Sequence, residues 1–385
     1  MADTKYYFFS GKGGVGKTSM AASSAVYFAN QGKRTLIVTT DPAANLGDVF
    51  EQEIGHRVTA IEQVPNLDAM EIDVESATAE YKERTLAPMR AVFPEEIVAV
   101  MEEELNSPCT EEMAAFDKFV DFMDSGQYQV VIFDTAPTGH TIRLLELPVD
   151  WSKHIEISEQ GSGQTCLGPV QVLKESKAKF DKAVSVLQDP DQTTFIFVVQ
   201  PESTPIAETK RSVHELNNIG IKSSMLVVNG ILPPEKCENH FFKRRSEMQQ
   251  RYIKEIDDNL DLPTRKMYLL DTEIKGVAFL KLIGRSLWEQ TPAVQQSDIS
   301  PEVNTQSNWE NLNIVDQPNP NVNRELFPVE GKTRSIFFAG KGGVGKTSMS
   351  CVTAVWLAKQ GFSTLLVTTD PASHLSQVFE QQVEH

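Results

Sequence analysis

FFSGKGGVGKTSMAASSAVYFANQGKRTLIVTTDPAANLGDVF, residues 8–50, decides how the chain is read. An apolar strand leads through a Gly-rich loop into a helix. A second apolar strand then closes on Asp-Pro. Within it GKGGVGKTS (11–19) has the Walker A spacing, with Gly11, Gly16, Lys17 and Thr18 at the fixed positions. Gly11, Gly13, Gly14 and Gly16, with Val15 among them, let backbone N–H groups curl around phosphate oxygens. Lys17, Thr18 and Ser19 open a helix whose N-terminal dipole favours an anion. The spacing predicts Lys17 on the β and γ phosphates and the Thr18 hydroxyl on Mg²⁺. A Gly-rich turn without nucleotide is the plainer alternative, and the strand-to-helix context argues against it.

The stretch returns at 337–379 as FFAGKGGVGKTSMSCVTAVWLAKQGFSTLLVTTDPASHLSQVF. The offset is a constant 329 residues without a gap, and 28 of the 43 positions are identical. An internal duplication is the economical explanation. Gly342, Gly343, Gly345, Lys346, Thr347 and Ser348 repeat the phosphate loop, Lys341 repeats Lys12, and Asp370 repeats Asp41. The second copy reaches only its second strand by His385. The expected organisation is a first domain over 1–290, a Pro-, Asn-, Gln- and Ser-rich linker over 291–334, and the start of a second, incomplete domain over 335–385.

In the first copy apolar strands alternate with helices. Candidates are Tyr6–Ser10, Thr35–Thr39, Leu67–Ile72, Val130–Phe133, Thr194–Gln200, Ser224–Asn229 and Lys266–Leu270. That alternation predicts an α/β fold, a parallel sheet covered by helices on both faces, with ligands at the C-terminal strand ends. Residues 75–125 and 150–190 interrupt the rhythm with helical composition and read as inserted helices beside the sheet.

Two carboxylates follow strands in positions suited to phosphate chemistry. Asp41, in VTTDP, is a candidate for orienting the attacking water or for the Mg²⁺ shell; Asp-Pro as a plain turn is the alternative. Asp134 closes VVIFD, the form of a Walker B carboxylate on Mg²⁺. Asn229 ends SMLVVNG and is a candidate adenine ligand, against a turn-forming Asn-Gly. LLDTEIKGV (269–277) is a candidate for completing the base pocket.

Composition excludes other classes. The 385 residues are 40% hydrophobic and 23% charged, with a formal net charge of −17, which disfavours a broad nucleic-acid binder. No apolar run approaches the ~18 residues of a membrane span, and the N-terminus does not read as a signal peptide. Four scattered cysteines, Cys109, Cys166, Cys237 and Cys351, make no disulfide framework, so the expected location is cytoplasmic. Read without context, Cys109 and Cys166 are buried structural thiols, and Cys351, in the repeat of the first helix, is structural as well.

Lys12, directly after the first loop glycine, resembles the extra lysine of the deviant Walker A (SIMIBI) class of P-loop NTPases. That resemblance implies a lysine working across a dimer interface, here Lys12 and Lys341 from the two copies, in the manner of an arginine finger. GKGGVGKTS, TTDPAANLGDVF and DTAPTGHTIRLLELP together resemble the arsenical pump-driving ATPase family and its relative that targets tail-anchored membrane proteins. The resemblance covers the whole chain except the linker. It implies Mg-ATP hydrolysis stimulated by As(III) or Sb(III), with the metalloid held by Cys109, His140 and Cys166 and by a further cysteine from the second half. Soft trivalent metalloids prefer thiolate ligands. It further implies an intramolecular pseudo-dimer of tandem halves, a membrane efflux pump subunit as partner, an arsenite metallochaperone as a possible donor, and peripheral association with the inner membrane face through the pump. A targeting chaperone is the alternative; Cys237-x-x-His240 departs from that branch's Cys-x-x-Cys zinc clasp.

Overall fold

The computed structural model describes residues 4–41, 45–90, 93–106, 108–124, 126–135, 164–165, 168–169, 181–289, 333–340, 344–368 and 379. The chain divides into two compact units, Met1–Val294 and Gln295–His385.

The first unit runs β1 (Lys5–Ser10), α1 (Lys17–Asn30), β2 (Thr35–Thr39), α2 (Leu46–Phe50), β3 (Thr59–Ala60), β4 (Leu67–Glu71), α3 (Val74–Arg90), α4 (Glu95–Glu104), α5 (Pro108–Asp124) and β5 (Val130–Asp134). It continues with β6 (Gln164–Thr165), β7 (Gly168–Pro169), β8 (Thr193–Val199), α6 (Ser203–Asn218), β9 (Ser223–Ile231), α7 (His240–Asn259), β10 (Thr264–Tyr268) and α8 (Val277–Trp288). Eight strands form one sheet in the order β10-β9-β8-β1-β5-β2-β4-β3. All neighbours are parallel except β3, which pairs antiparallel with β4. The α/β architecture with a mostly parallel sheet is the one expected, and its seven parallel strands start and end within two residues of the limits read from the sequence. The edge strand β3 carries only two residues and has no apolar run to announce it.

The central strands are apolar at nearly every position because both faces are covered. Period-2 alternation sends Tyr6, Phe8, Leu36, Val38, Val131, Phe133, Phe195 and Phe197 into one layer, with residues of α3, α4, α5, α6 and α7. Phe9, Ile37, Val130, Ile132, Ile196 and Val198 enter the other, with α1, α2 and α8. On the first face Phe119 of α5 lies 4.1 Å from Phe133 and 5.3 Å from Phe8, ring centre to ring centre. This stacking ties the inserted helices to the sheet. On the second face the small residues Ala21, Ala22, Ser23 and Ser24 let α1 lie close to α8, and Trp288 Nε1 donates to Ser24 Oγ at 3.0 Å.

Among the described residues of 75–125, α3, α4 and α5 are helices. Most of 150–190 lies outside the described residues. Gln164–Thr165 and Gly168–Pro169 pair as a short antiparallel hairpin, and helix is described only over 181–188. Gly168 and Pro169 suit such a hairpin, since both disfavour a helix interior.

In the second unit the duplicated helix forms as α9 (Lys346–Lys359). Its flanks, 333–340 and 361–368, form no strand among the described residues. Phe337 is 90% and Leu365 86% exposed, whereas their first-copy counterparts Phe8 and Leu36 are fully buried. β1 and β2 do not pair with each other; β5 lies between them, β8 flanks β1 and β4 flanks β2.

Candidate functional site: a phosphate loop beside two strand-end carboxylates

The loop from Gly11 to Gly16 leaves β1 at its C-terminal end. Gly11 has φ +146°, and a Cβ there would lie 2.2 Å from the carbonyl oxygen of Val198 on β8. Gly16 has φ +97° and caps α1 from the left-handed region, where a side chain is strained. Val15 is buried beneath the loop, while Gly13 and Gly14 lie at its accessible rim. Thr18 and Ser19 stand in the first turn of α1.

Lys17 is buried. Its Nζ donates to the Lys12 carbonyl at 3.2 Å and lies 4.0 Å from Asp41 Oδ2. The ammonium is thus held over the loop by its own backbone and faced by a carboxylate.

Asp134 is brought here by register. It pairs with Phe9 across β1 and with Thr39 across β2, so it sits between the ends of the strands that carry the loop and Asp41. Its Oδ2 accepts from Thr18 Oγ1 at 2.8 Å and from Thr39 Oγ1 at 3.2 Å. Thr39 Oγ1 in turn accepts from the Asp41 N–H at 3.2 Å. Asp134 Oδ1 is buried and has no hydrogen-bond partner among the described residues. Burial pushes the Asp134 carboxyl up to about 6, opposed by the Thr18 hydroxyl and the Lys17 charge and reinforced by Asp41.

A buried, unpartnered carboxylate oxygen beside a hydroxyl and a second carboxylate is a hard-oxygen donor set, and it suits Mg²⁺. Thr18, Asp134 and Asp41 are the residues that would hold it. Thr39 was not singled out by sequence reasoning; the available signal was the Thr-Thr-Asp end of β2, next to the strand that carries Asp134. Glu71 was also missed. Its Oε1 accepts from the Leu46 and Gly47 N–H groups at 2.6 and 3.2 Å, anchoring the start of α2 just after Asp41.

Asn229 comes to the same loop from the end of β9, with Nδ2 donating to the Val15 carbonyl at 2.8 Å. The segment after β10 is held at both ends, by Leu269 N–H on Ile231 O and by Gly276 N–H on Val49 O.

Several expected residues cannot be placed with the others. Cys109 is the second residue of α5. His140, Cys166, Lys341, Gly342, Gly343 and Asp370 lie outside the described residues. In the second copy Gly345 again takes a left-handed φ of +91°, and Lys346, Thr347 and Ser348 open α9. Cys237 donates its thiol to Pro233 O at 3.3 Å, and Cys351 is buried in α9. Among the described residues no helix is long and apolar enough to cross a membrane.

Comparison with known proteins bears on this geometry. The family model described as anion-transporting ATPase matches residues 4–289 and 333–385. A Halobacterium salinarum protein named "Putative arsenical pump-driving ATPase" is 47% identical over 384 residues, covering 100% of this chain and 59% of its own length. An Escherichia coli "Arsenical pump-driving ATPase" is 39% identical over 381 residues, 96% of this chain and 62% of its own. A Paramecium tetraurelia protein named "ATPase ASNA1 homolog 1" is 34% identical over 301 residues, 72% of this chain and 90% of its own. The chain therefore spans about three fifths of the length of the two arsenical relatives.

Proposed function

The chain belongs to the anion-transporting ATPase family, and from that premise we propose that it hydrolyses Mg-ATP to drive arsenite or antimonite out through a membrane pump. The observation that carries the hydrolytic part is the convergence of Lys17, Thr18, Asp41 and Asp134 on one phosphate loop at the ends of β1, β2 and β5. The loop amides hold the phosphates. Lys17 meets the β and γ oxygens from its buried slot. Asp41, beside that ammonium, accepts a hydrogen bond from the attacking water and orients it. Mg²⁺ bound by Thr18 and Asp134 would neutralise charge on the phosphate oxygens. Lys12 and its repeat Lys341 are proposed as the lysines that stabilise charge on the transferring phosphoryl group, with residues 335–385 opening the second ATPase domain.

The metalloid part rests on soft-ligand chemistry and on the relatives' names. Cys109, His140 and Cys166 are the proposed ligands, joined by a thiolate from the second half. Cys109 stands at the head of α5, and Phe119 of α5 packs on Phe133, the residue before Asp134. That contact is a physical link from the inserted helices to the nucleotide site. The pump subunit and an arsenite metallochaperone are the proposed partners, with the protein held at the membrane surface by the pump.

Steady-state ATP hydrolysis by the full gene product, with and without antimonite, tests the reading. Stimulation that disappears in Cys109→Ser is expected. Hydrolysis without stimulation removes the metalloid and leaves the ATPase; stimulation unchanged in Cys109→Ser removes Cys109 from the ligand set.

A second reading, a targeting chaperone for tail-anchored membrane proteins, is favoured by one observation. Phe93, Ile97 and Val100, on and beside α4, are exposed apolar side chains. Nucleotide-dependent co-purification of a C-terminal apolar helix would support it over efflux.

A further inference from the structure

We infer that Asn229 is a positioning residue that clamps the phosphate loop whether or not a base is bound. This rests on reading Gly11–Ser19 as the phosphate site. Asn229 lies 214 positions from Val15 in sequence, yet its Nδ2 donates to the Val15 carbonyl at 2.8 Å in a partly buried contact. The neighbouring Gly16 leaves room for it: a Cβ on Gly16 would lie 2.4 Å from Asn229 Nδ2. The absent side chain of Gly16 therefore has a second purpose besides allowing its positive φ. It lets the Asn229 amide reach the loop backbone.

The consequence follows from the planarity of the peptide bond. In a trans peptide the carbonyl and the next N–H point in opposite directions. Holding the Val15 carbonyl toward Asn229 holds the Gly16 N–H away from it. On the other side, the Gly16 carbonyl accepts from Met20 N–H at 3.1 Å in the first turn of α1. The Gly16 peptide units are thus fixed from both directions. The start of the loop is fixed separately, where Gly11 rests on Val198 O of β8. Two adjacent strands, β8 and β9, therefore set the two ends of the loop.

An amide has two N–H donors and a carbonyl acceptor. With one donor on Val15 O, Asn229 retains groups for a base, so one side chain can join base recognition to loop geometry. The clamp and the base contact make different predictions for a ligand without a base.

Binding of Mg-tripolyphosphate and of Mg-ATP is measured by calorimetry on the full chain and on Asn229→Ala. Hydrogen exchange of the amides of 12–17 is followed without ligand, with those of α8 as the control for global opening. Losing one hydrogen bond on a partly buried carbonyl is expected to weaken tripolyphosphate and ATP alike, by about five- to tenfold, and to speed exchange in the loop alone. Loss of ATP affinity with tripolyphosphate unchanged would mean a base contact only and would overturn the clamp. Loop exchange identical to the parent protein would also overturn it. A parent protein that binds neither ligand refutes the phosphate-site reading instead, while the exchange result still decides the clamp.

Discussion

The Thr18 hydroxyl donates to Oδ2 of Asp134 at 2.8 Å, joining the first turn of α1 to the end of β5 across 116 positions of sequence. This bond and the weaker one from Thr39 occupy one carboxylate oxygen and leave the other buried without a partner. The site therefore carries an electrostatic cost in the protein without ligand.

Asp134→Asn should relieve that cost. Burial raises the folded-state carboxyl to about 6, above its usual value, so folding disfavours the charged form. The penalty is full above about pH 6, shrinks as pH falls, and is gone below the ordinary carboxylate range near pH 4. Without nucleotide, Asp134→Asn is expected to be more stable by roughly 2–3 kcal/mol at pH 7.5 and to show no gain at pH 4. Hydrolysis should fall by about two orders of magnitude or more. Thermal unfolding against pH and steady-state ATPase assays check the two halves. Equal stability of both proteins at pH 7.5 would refute the electrostatic account.

Lys17→Met removes the cation that faces Asp41 and lowers the Asp134 carboxyl. Phosphate binding and hydrolysis should be lost. The pH at which stability changes through Asp134 should move upward, because the charged form has lost its attraction. The same pH series of unfolding midpoints reports the shift.

Gly284→Ala tests the close approach of α8 to α1. The added Cβ would meet Ser23 O at 2.4 Å and Tyr27 Cβ at 2.9 Å. Separating the helices should cost about 1–3 kcal/mol, as overpacking does. Gly32→Ala is the contrast: nothing lies within 4 Å of its Cβ, and only its φ of +78° is unfavourable, so roughly 1–2 kcal/mol is expected. Urea midpoints, supported by local exchange along α1 in Gly284→Ala alone, separate packing from backbone strain.

Phe119→Ala removes the ring that joins α5 to Phe133 and Phe8. A loss of about 3–5 kcal/mol is expected for a fully packed Phe. If α5 carries the metalloid signal, antimonite stimulation should weaken more than basal hydrolysis. Equal losses of both would make Phe119 a packing residue only.

Much of the site was legible in local order. Lys17, Thr18 and the glycines belong to one contiguous loop whose geometry follows from its spacing. Asp41 and Asp134 were legible because a parallel strand that ends in a carboxylate delivers it to the edge where ligands bind. Thr39 and Glu71 were not, because each acts through a partner on another strand or helix. Asn229 was legible as a strand-end polar residue, but its bond to Val15 O depends on β9 lying near the loop, two strands from β1.

The order of residues alone was sufficient for the parallel α/β architecture, the phosphate loop and the duplication at an offset of 329. Each of these depends on spacing and periodicity along the chain. Tertiary structure decided which strands are neighbours. Phe8 is sealed in the sheet between strands that no local pattern marks as its neighbours. A β-strand satisfies its backbone only through partners. For β1, β5 and β8 supply them from far along the chain.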